Sequence, residues 1–406
     1  MTGALRQQAG LMFETQGSEF RLETALQPIV GLIHQRVVGY EALVRGVCTS
    51  DGRAISPDEL FSRAAAANDL MRLDAACQQV HLASFSQRAS NRDWLFLNVR
   101  PESVVEPGFP DLLIERAAER SLSTRQIVIE LLETPLDSSL QSSQLERAIA
   151  ALRAKGFVIA LDDFGAGHSN LDRVLDLKPD LIKLDRRMIV KATLDRAIRR
   201  VLPTMISLLH EIGTLVVAEG IETALEASIA LDAGTDFGQG YFFGMPAAHI
   251  TTMDQVLPKL EIMRAESNAE RARRERLRDA RLGPHQEALR RAAQLFARGE
   301  PESEIAAVML SNPDSLRCFN VDEDGIQFGH VFTRGAHTAR FLPLDDENGA
   351  NWETRPYFRE AIAAPGRLVS TFPYLSISGN YMCVTIAITV ERDGRQYVLG
   401  IDIQWD

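Results

Sequence analysis

The stretch IVIELLE, residues 127–133, is an apolar run that ends in two carboxylates, Glu130 and Glu133. The arrangement recurs along the chain. VVGYEALV, WLFLNV, FVIALDD, LIKLD and LVVAEG deliver Glu41, Asn98, Asp162 with Asp163, Lys183 with Asp185, and Glu219 with Glu222 at or just beyond their C-terminal ends. Taken singly, an Asp or Glu in such a place reads as a helix cap or a solvated loop residue. Gathered on one face, so many like charges repel unless cations sit among them, because an uncompensated buried carboxylate is very costly. Oxygen donors from Asp, Glu and Asn suit a hard divalent ion, Mg²⁺ or Mn²⁺, and the lack of a paired His or Cys cluster argues against zinc. The triplet DFG at 163–165 brings a protein kinase to mind, but no Gly-rich loop precedes it and no HRD motif accompanies it.

The elements that must position these groups are apolar throughout rather than alternating, as strands buried on both faces are. Longer helical patterns such as SSQLERAIAALRAKG separate them, which makes the strands parallel. From about residue 20 to 250 this predicts an α/β fold of the (β/α)₈ barrel type, whose strands carry the active site at their C-terminal ends. A doubly wound open sheet is the alternative, and no GxGxxG follows a strand to support it.

The whole chain has 406 residues, 45% hydrophobic and 24% charged, with a net charge of −11. That balance disfavours a nucleic-acid partner, which wants excess Lys and Arg. Cys48, Cys77, Cys318 and Cys383 have no CxxC spacing and suggest neither a zinc site nor a disulfide framework, which fits a reducing cytoplasm. No basic-plus-apolar leader and no long apolar run points to secretion or to a membrane.

Beyond Pro246 the texture changes. ESNAERARRERLRDAR carries both signs of charge and one leucine, Leu277, and reads as a solvated connecting helix that Gly283-Pro284 should break. A helix with Leu289, Ala292, Ala293 and Phe296 on one face follows, then one with Ile305, Val308 and Met309, then strands. Asp393-Gly394, between AITV and YVLGIDI, predicts a hairpin, and Asp324-Gly325 a second turn. The expected division is an N-terminal extension at 1–19, a barrel at 20–253, a linker helix at 254–284 and a smaller α+β domain at 285–406.

The segments QPIV…GYEALVRG, LFLNVRPE, VIELLET, IALDDFGAGHSNL, IKLDR, VVAEGIET and GQGYFFGMP, in this order, closely resemble the EAL-domain family of cyclic-di-GMP phosphodiesterases. The resemblance covers roughly residues 20–250 and implies a metal-dependent TIM-type barrel, working as a homodimer, that hydrolyses cyclic di-GMP to linear pGpG. Carried over by motif, it implies that Glu41, Asn98, Glu130 and Asp162 hold one Mg²⁺ or Mn²⁺, that Asp162 bridges to a second, and that Asp163 also holds the second. Lys183 and Glu219 would position and deprotonate the attacking water. Asp185 and Glu222 would support the second metal's water, and Gln27, Arg45 and Gln239 would grip phosphate or guanine, with Leu43 and Pro246 completing the substrate site. Glu133 would anchor the loop 163–170. Leu132, His168 and Gly244-Met245 depart from the family's usual residues; they remove no ligand and bear on loop dynamics and rate. The same resemblance leaves open a receptor that binds cyclic di-GMP with little turnover, or a scaffold dominated by its second half.

The stretch NWETRPYFREAI…STFPYLSISGNYMCVTIAITV…YVLGIDI resembles Cache or PAS-like sensor domains. It implies a regulatory domain whose ligand, a small molecule or a protein, is not given by the sequence. Arg355, Tyr357 and Tyr374 are candidates for a pocket, or else two core aromatics and a helix cap.

Overall fold

The computed structural model describes residues 10–15, 18–88, 90–132, 142–166, 171–334, 349–377 and 381–405. The chain divides into two compact units, Met1–Glu270 and Arg271–Asp406. In the first, the strands are β1 (Leu11–Thr15), β2 (Ser18–Gly31), β3 (Arg36–Cys48), β4 (Ala54–Ile55), β5 (Trp94–Val99), β6 (Ile127–Leu131), β7 (Val158–Phe164), β8 (Leu181–Leu184), β9 (Leu215–Ala218) and β10 (Phe237–Gln239). They form a ten-stranded sheet in the order β1-β2-β10-β9-β8-β7-β6-β5-β3-β4, and β2 also pairs with β3. That extra pairing closes a barrel, with β1 and β4 as appendages outside the ring.

The barrel departs from the all-parallel expectation at one strand. Neighbours from β3 through β5–β10 run parallel, but β2 is antiparallel to both β3 and β10. The cause is the connection. Only a tight turn at residues 32–35 separates β2 from β3, with Gln35 N–H donating to the Gly31 carbonyl at 2.8 Å and Gln35 at φ 52°. A parallel crossover needs a dozen residues or more, usually with a helix.

Two apolar layers hold the barrel. Ile29, Val38, Phe96, Val128, Ala160, Leu181, Val217 and Phe237 form a cluster drawn from the strands alone, which places it inside the ring. A larger cluster joins the outer strand faces to the helices, including Val256, Leu260 and Met263 of the helix Met253–Ala297.

The second unit contains β11 (Ser315–Asp322), β12 (Gln327–Thr333), β13 (Val369–Ser370), β14 (Tyr374–Leu375), β15 (Met382–Arg392) and β16 (Arg395–Gln404). They make an antiparallel sheet ordered β12-β11-β16-β15-β13, with β14 against β15. The expected hairpin is present: Arg392 pairs with Arg395 across Asp393 (φ 53°) and Gly394 (φ 76°), two left-handed residues whose twist matches that of the strands. The expected break at Gly283-Pro284 is not. The helix Met253–Ala297 runs through it, because Leu282, Leu289, Ala292 and Phe296 on its second half are buried in one core. Their burial, at about 1.5–3 kcal/mol for each large side chain, outweighs roughly 3 kcal/mol for an interior proline. Residues 271–277 are helical and exposed, as the charge pattern predicts. The cysteines are all free, and no helix among the described residues is long and apolar enough to cross a membrane.

Candidate active site

Side chains alternate along a strand, so the residue two positions beyond each member of the inner apolar layer also faces the barrel axis. On β5 to β10 that step leads from Phe96 to Asn98, Val128 to Glu130, Ala160 to Asp162, Leu181 to Lys183, Val217 to Glu219 and Phe237 to Gln239. On antiparallel β2 it runs backwards, from Ile29 to Gln27. On β3, Gly39 pairs with Ile29 and Glu41 with Gln27. A ring of polar groups, one from each barrel strand, therefore caps an apolar plug. Glu41, Glu130, Asp162 and Glu219, four of the carboxylates that end the sequence runs, belong to this ring.

Lys183 stands at its centre. Its Nζ donates to Glu41 Oε2 at 3.1 Å and to Glu130 Oε1, lies 2.6 Å from Glu219 Oε1 and 3.8 Å from Asp162 Oδ1. Asn98 donates to Glu41 Oε1 at 2.7 Å; Gln239 Nε2 donates to Glu41 Oε2 at 2.5 Å and to Gln27 Oε1 at 3.1 Å. Glu41, Glu130 and Lys183 are buried. Burial pushes the Glu130 carboxyl well above the usual range, and the charges of Glu41, Asp162 and Glu219 add to it despite Lys183. Burial likewise raises Glu219 to about 8 against the opposing pull of Lys183. For Glu41 the burial penalty is outweighed by Lys183, Gln239 and Asn98, which hold its pKa down. For Lys183, burial opposes the charge, but the surrounding carboxylates win and its pKa is raised.

A β-bulge explains the paired aspartates. Leu161 pairs with Ile182 and Phe164 with Leu184, so Asp162 and Asp163 together oppose Lys183, two residues against one. Asp163 has φ 53°, and its N–H donates to Asp162 Oδ1 at 2.9 Å. Two acidic clusters result, Glu41/Glu130/Glu219 and Asp162/Asp163/Glu219, each with ligand oxygens within 4.8 Å of one another. Glu130 Oε2 is buried with no hydrogen-bond partner among the described residues. An orphaned carboxylate oxygen in an all-oxygen donor set fits a hard cation.

A cleft of about 340 Å³ opens above the ring, lined by Gln27, Glu41, Leu43, Asp185, Arg186, Glu219, Gly220, Glu222, Gln239, Gly240 and Tyr241. Asp185 caps the helix Arg186–Leu194, accepting from Arg187 N–H at 2.9 Å and Arg187 Nε at 2.8 Å. Glu222 pairs with Arg186 at 2.7 Å. A capping box fixes the chain after Glu219: Glu226 accepts from the N–H groups of Glu222 and Thr223, while Thr223 accepts from Glu226 N–H. Gly240 admits no side chain, since a Cβ there would lie 2.1 Å from the Ile221 carbonyl oxygen. Arg45 donates to the Val44 carbonyl at 2.8 Å and is not among the residues lining the cleft. Nor is Pro246, which precedes Ala247, the partner of Leu26 in an antiparallel bridge. Glu133 and residues 167–170 lie outside the described residues. Arg186 and Tyr241 were not anticipated; the sequence signal was their place one residue beyond Asp185 and two beyond Gln239.

The EAL-domain profile matches residues 12–246. The chain belongs to the EAL-domain family. One relative of this EAL protein is the probable cyclic di-GMP phosphodiesterase PdeI of Escherichia coli K12, 30% identical over 54% of this chain and 28% of PdeI. Another is YkuI of Bacillus subtilis 168, described as an uncharacterised EAL-domain containing protein, 25% identical over 83% of each chain. The crystal structure of YkuI with cyclic di-GMP and calcium matches at TM-score 0.78 and 23% identity over 95% of this chain and 96% of YkuI, a likeness of fold that extends through both units. BlrP1 of Klebsiella pneumoniae, in a complex with calcium and cyclic di-GMP, matches at TM-score 0.52 and 29% identity over 60% of each chain. The first curated relatives are longer proteins, of which this EAL chain spans 32%, 28% and 43%.

Proposed function

We propose that this chain is a phosphodiesterase that opens cyclic di-GMP to linear 5′-pGpG with divalent metal. The carrying observation is the polar ring: two carboxylate clusters around one buried lysine, beneath an open cleft. In this reading Glu41, Asn98, Glu130 and Asp162 hold one Mg²⁺ or Mn²⁺, and Asp162 and Asp163 hold a second. Relatives named as cyclic di-GMP phosphodiesterases, and BlrP1 complexes that contain calcium or manganese with cyclic di-GMP, support the assignment.

Bound metal would supply Lewis acidity toward the phosphate oxygens and lower the pKa of water. The chain supplies the rest. Glu219 is the proton acceptor for the attacking water, a carboxylate just beyond β9 that lines the open cleft and stands within reach of both acidic clusters. Lys183 fixes the Glu219 oxygen at 2.6 Å and stabilises negative charge as water attacks phosphorus and the P–O3′ bond breaks. Gln239 and Gln27 hold Glu41 in register, and Gln27, Leu43, Asp185, Glu222 and Gln239 form the substrate wall with Pro246 at its edge. Arg45 reaches phosphate by leaving the Val44 carbonyl. The barrel pairs with a second copy, and the second unit regulates turnover as a sensor. The test is turnover of cyclic di-GMP by the full chain stripped of metal and then resupplied: hydrolysis that persists in chelator would contradict the reading.

A further inference from the structure

In the second unit, Arg355, Tyr357 and Tyr374 border one recess with the buried Arg317–Asp402 pair, whose charged atoms lie 3.4 Å apart. It encloses about 20 Å³, room for about one water. A larger space lies in the helical layer of the barrel unit. It is a groove of about 270 Å³ between two helices, Leu70–Ser86 and Phe109–Glu119, and no member of the polar ring lines it.

Helical spacing builds its walls. Met71, Ala75 and Gln78 stand at i, i+4 and i+7 on the first helix, and Phe109, Leu112 and Arg116 at i, i+3 and i+7 on the second, so each set shares one face. Ala75 leaves the space open, because its single methyl sits where a longer side chain would fill the gap. The groove has two chemically different ends. Met71 and Leu112 make one end apolar and remain 39% and 43% exposed, beside the buried Phe109. At the other end Arg116 reaches across: its Nη1 donates to the Ala75 carbonyl at 3.3 Å and, weakly, to Gln78 Oε1 at 3.5 Å. Gln78 is buried and donates through Nε2 to the buried Asp74 carboxylate at 3.1 Å, which also accepts from Ser103 Oγ. Asp74 is thus engaged by the floor. Among the described residues no carboxylate pairs with the half-buried Arg116, and its guanidinium makes no other hydrogen bond.

We propose that this groove binds an amphiphilic monoacid, with its carboxylate on Arg116 beside the Gln78 amide and a short saturated chain laid past Ala75 toward Met71, Phe109 and Leu112. A guanidinium fork accepts a carboxylate through two parallel hydrogen bonds, and here it would exchange two long contacts for them. Mostly apolar walls with a few polar groups at one end are the usual make-up of a small-molecule site. At about 30 Å³ for each water-sized group, the 270 Å³ hold about nine such groups, a carboxylate with a chain of about seven carbons. Glu106, exposed on the rim, is the one acid among the described residues that line the groove, and it disfavours a second negative charge on the ligand. The site shares no residue with the proposed phosphodiesterase chemistry and does not depend on it.

The test is isothermal titration of the full chain with sodium hexanoate and octanoate below their micelle concentrations, against sodium acetate, hexanol and octylamine. Saturable one-to-one binding of octanoate is expected, about tenfold tighter than hexanoate, since each buried methylene is worth up to about fourfold. Acetate, with no chain to bury, should not bind. Octanoate should weaken at least tenfold in Arg116→Gln and in Ala75→Phe, whose ring occupies the groove, with Arg116→Lys in between. Absence of octanoate binding, binding unchanged in either folded variant, or equal binding of hexanol or octylamine, which lack the carboxylate, would overturn the proposal. A cooperative thermal transition in each ligand-free variant separates lost binding from lost folding, and Arg116→Gln decides if Ala75→Phe does not fold.

Discussion

Lys183 Nζ and Glu219 Oε1 stand 2.6 Å apart at the ends of two neighbouring parallel strands, with the lysine side chain 1% exposed. The pair belongs to a larger balance, because the same ammonium also holds Glu41 and Glu130. Removing it leaves two buried carboxylates facing each other, and uncompensated buried charge is destabilising by about 3–5 kcal/mol.

Lys183→Met should therefore lower the stability of the metal-free chain by several kcal/mol and cut kcat by about 10²-fold or more. Adding Glu130→Gln should restore part of the stability but none of the turnover. Chemical denaturation in chelator, run beside single-turnover kinetics, checks both. A Lys183→Met variant of unchanged kcat would show that the lysine only neutralises charge.

Metal should bind where Glu130 Oε2 is left without a partner. Glu130→Gln removes a charge and one hard donor, so Mn²⁺ affinity should fall by at least tenfold while the cooperative unfolding transition is retained. Titration followed by the paramagnetic signal of free Mn²⁺ reads this without recourse to activity.

Outside the site, Asp74 on the helix Leu70–Ser86 offers a pH test. It is buried, accepts from Ser103 and from Gln78, and its pKa is raised from 3.8 to about 6, chiefly by burial. A carboxyl that binds its proton more tightly when folded contributes stability that is full below pH 3.8 and is lost as pH rises through about 6. At about 1.4 kcal/mol for each pH unit, the loss is about 3 kcal/mol. Asp74→Asn keeps a neutral hydrogen-bonding group, so it should match the parent near pH 4 and exceed it in stability at pH 7. Equal slopes against pH would refute the burial argument.

Pro284 is exposed inside a continuous helix. Pro284→Ala restores a helical N–H and removes the ring clash, and should stabilise the second unit by roughly 1–3 kcal/mol. A loss of stability in thermal unfolding would mean that the proline shapes the helix in a way its core contacts require.

What was legible in the sequence follows from where the signals lie. Ring members on β5 to β9 end apolar runs, so period and chemistry marked them together. Gln27 and Gln239 gave a weaker signal, because β2 is entered from the opposite direction and β10 spans only Phe237–Gln239; the family motifs marked them, whereas strand pattern did not. The antiparallel turn of β2 was readable in principle, since no helical segment separates QPIVG from VVGYE. Gly283-Pro284 misled because local propensity speaks for a break while tertiary burial of Leu282 and Leu289 decides otherwise. The Arg186–Glu222 pair and the Arg317–Asp402 pair join residues far apart in the chain, and no local pattern foretells them.

The central claim is that the ring performs hydrolysis and does not merely bind. The direct measurement is chromatographic separation of nucleotides after incubating the full chain with excess cyclic di-GMP and Mg²⁺ or Mn²⁺. Many equivalents of linear pGpG per chain are predicted for the parent, and none for Asp162→Asn, which removes the carboxylate proposed to serve both metal positions. Stoichiometric recovery of intact cyclic di-GMP, tightly bound by the parent, would contradict the account and make the chain a receptor.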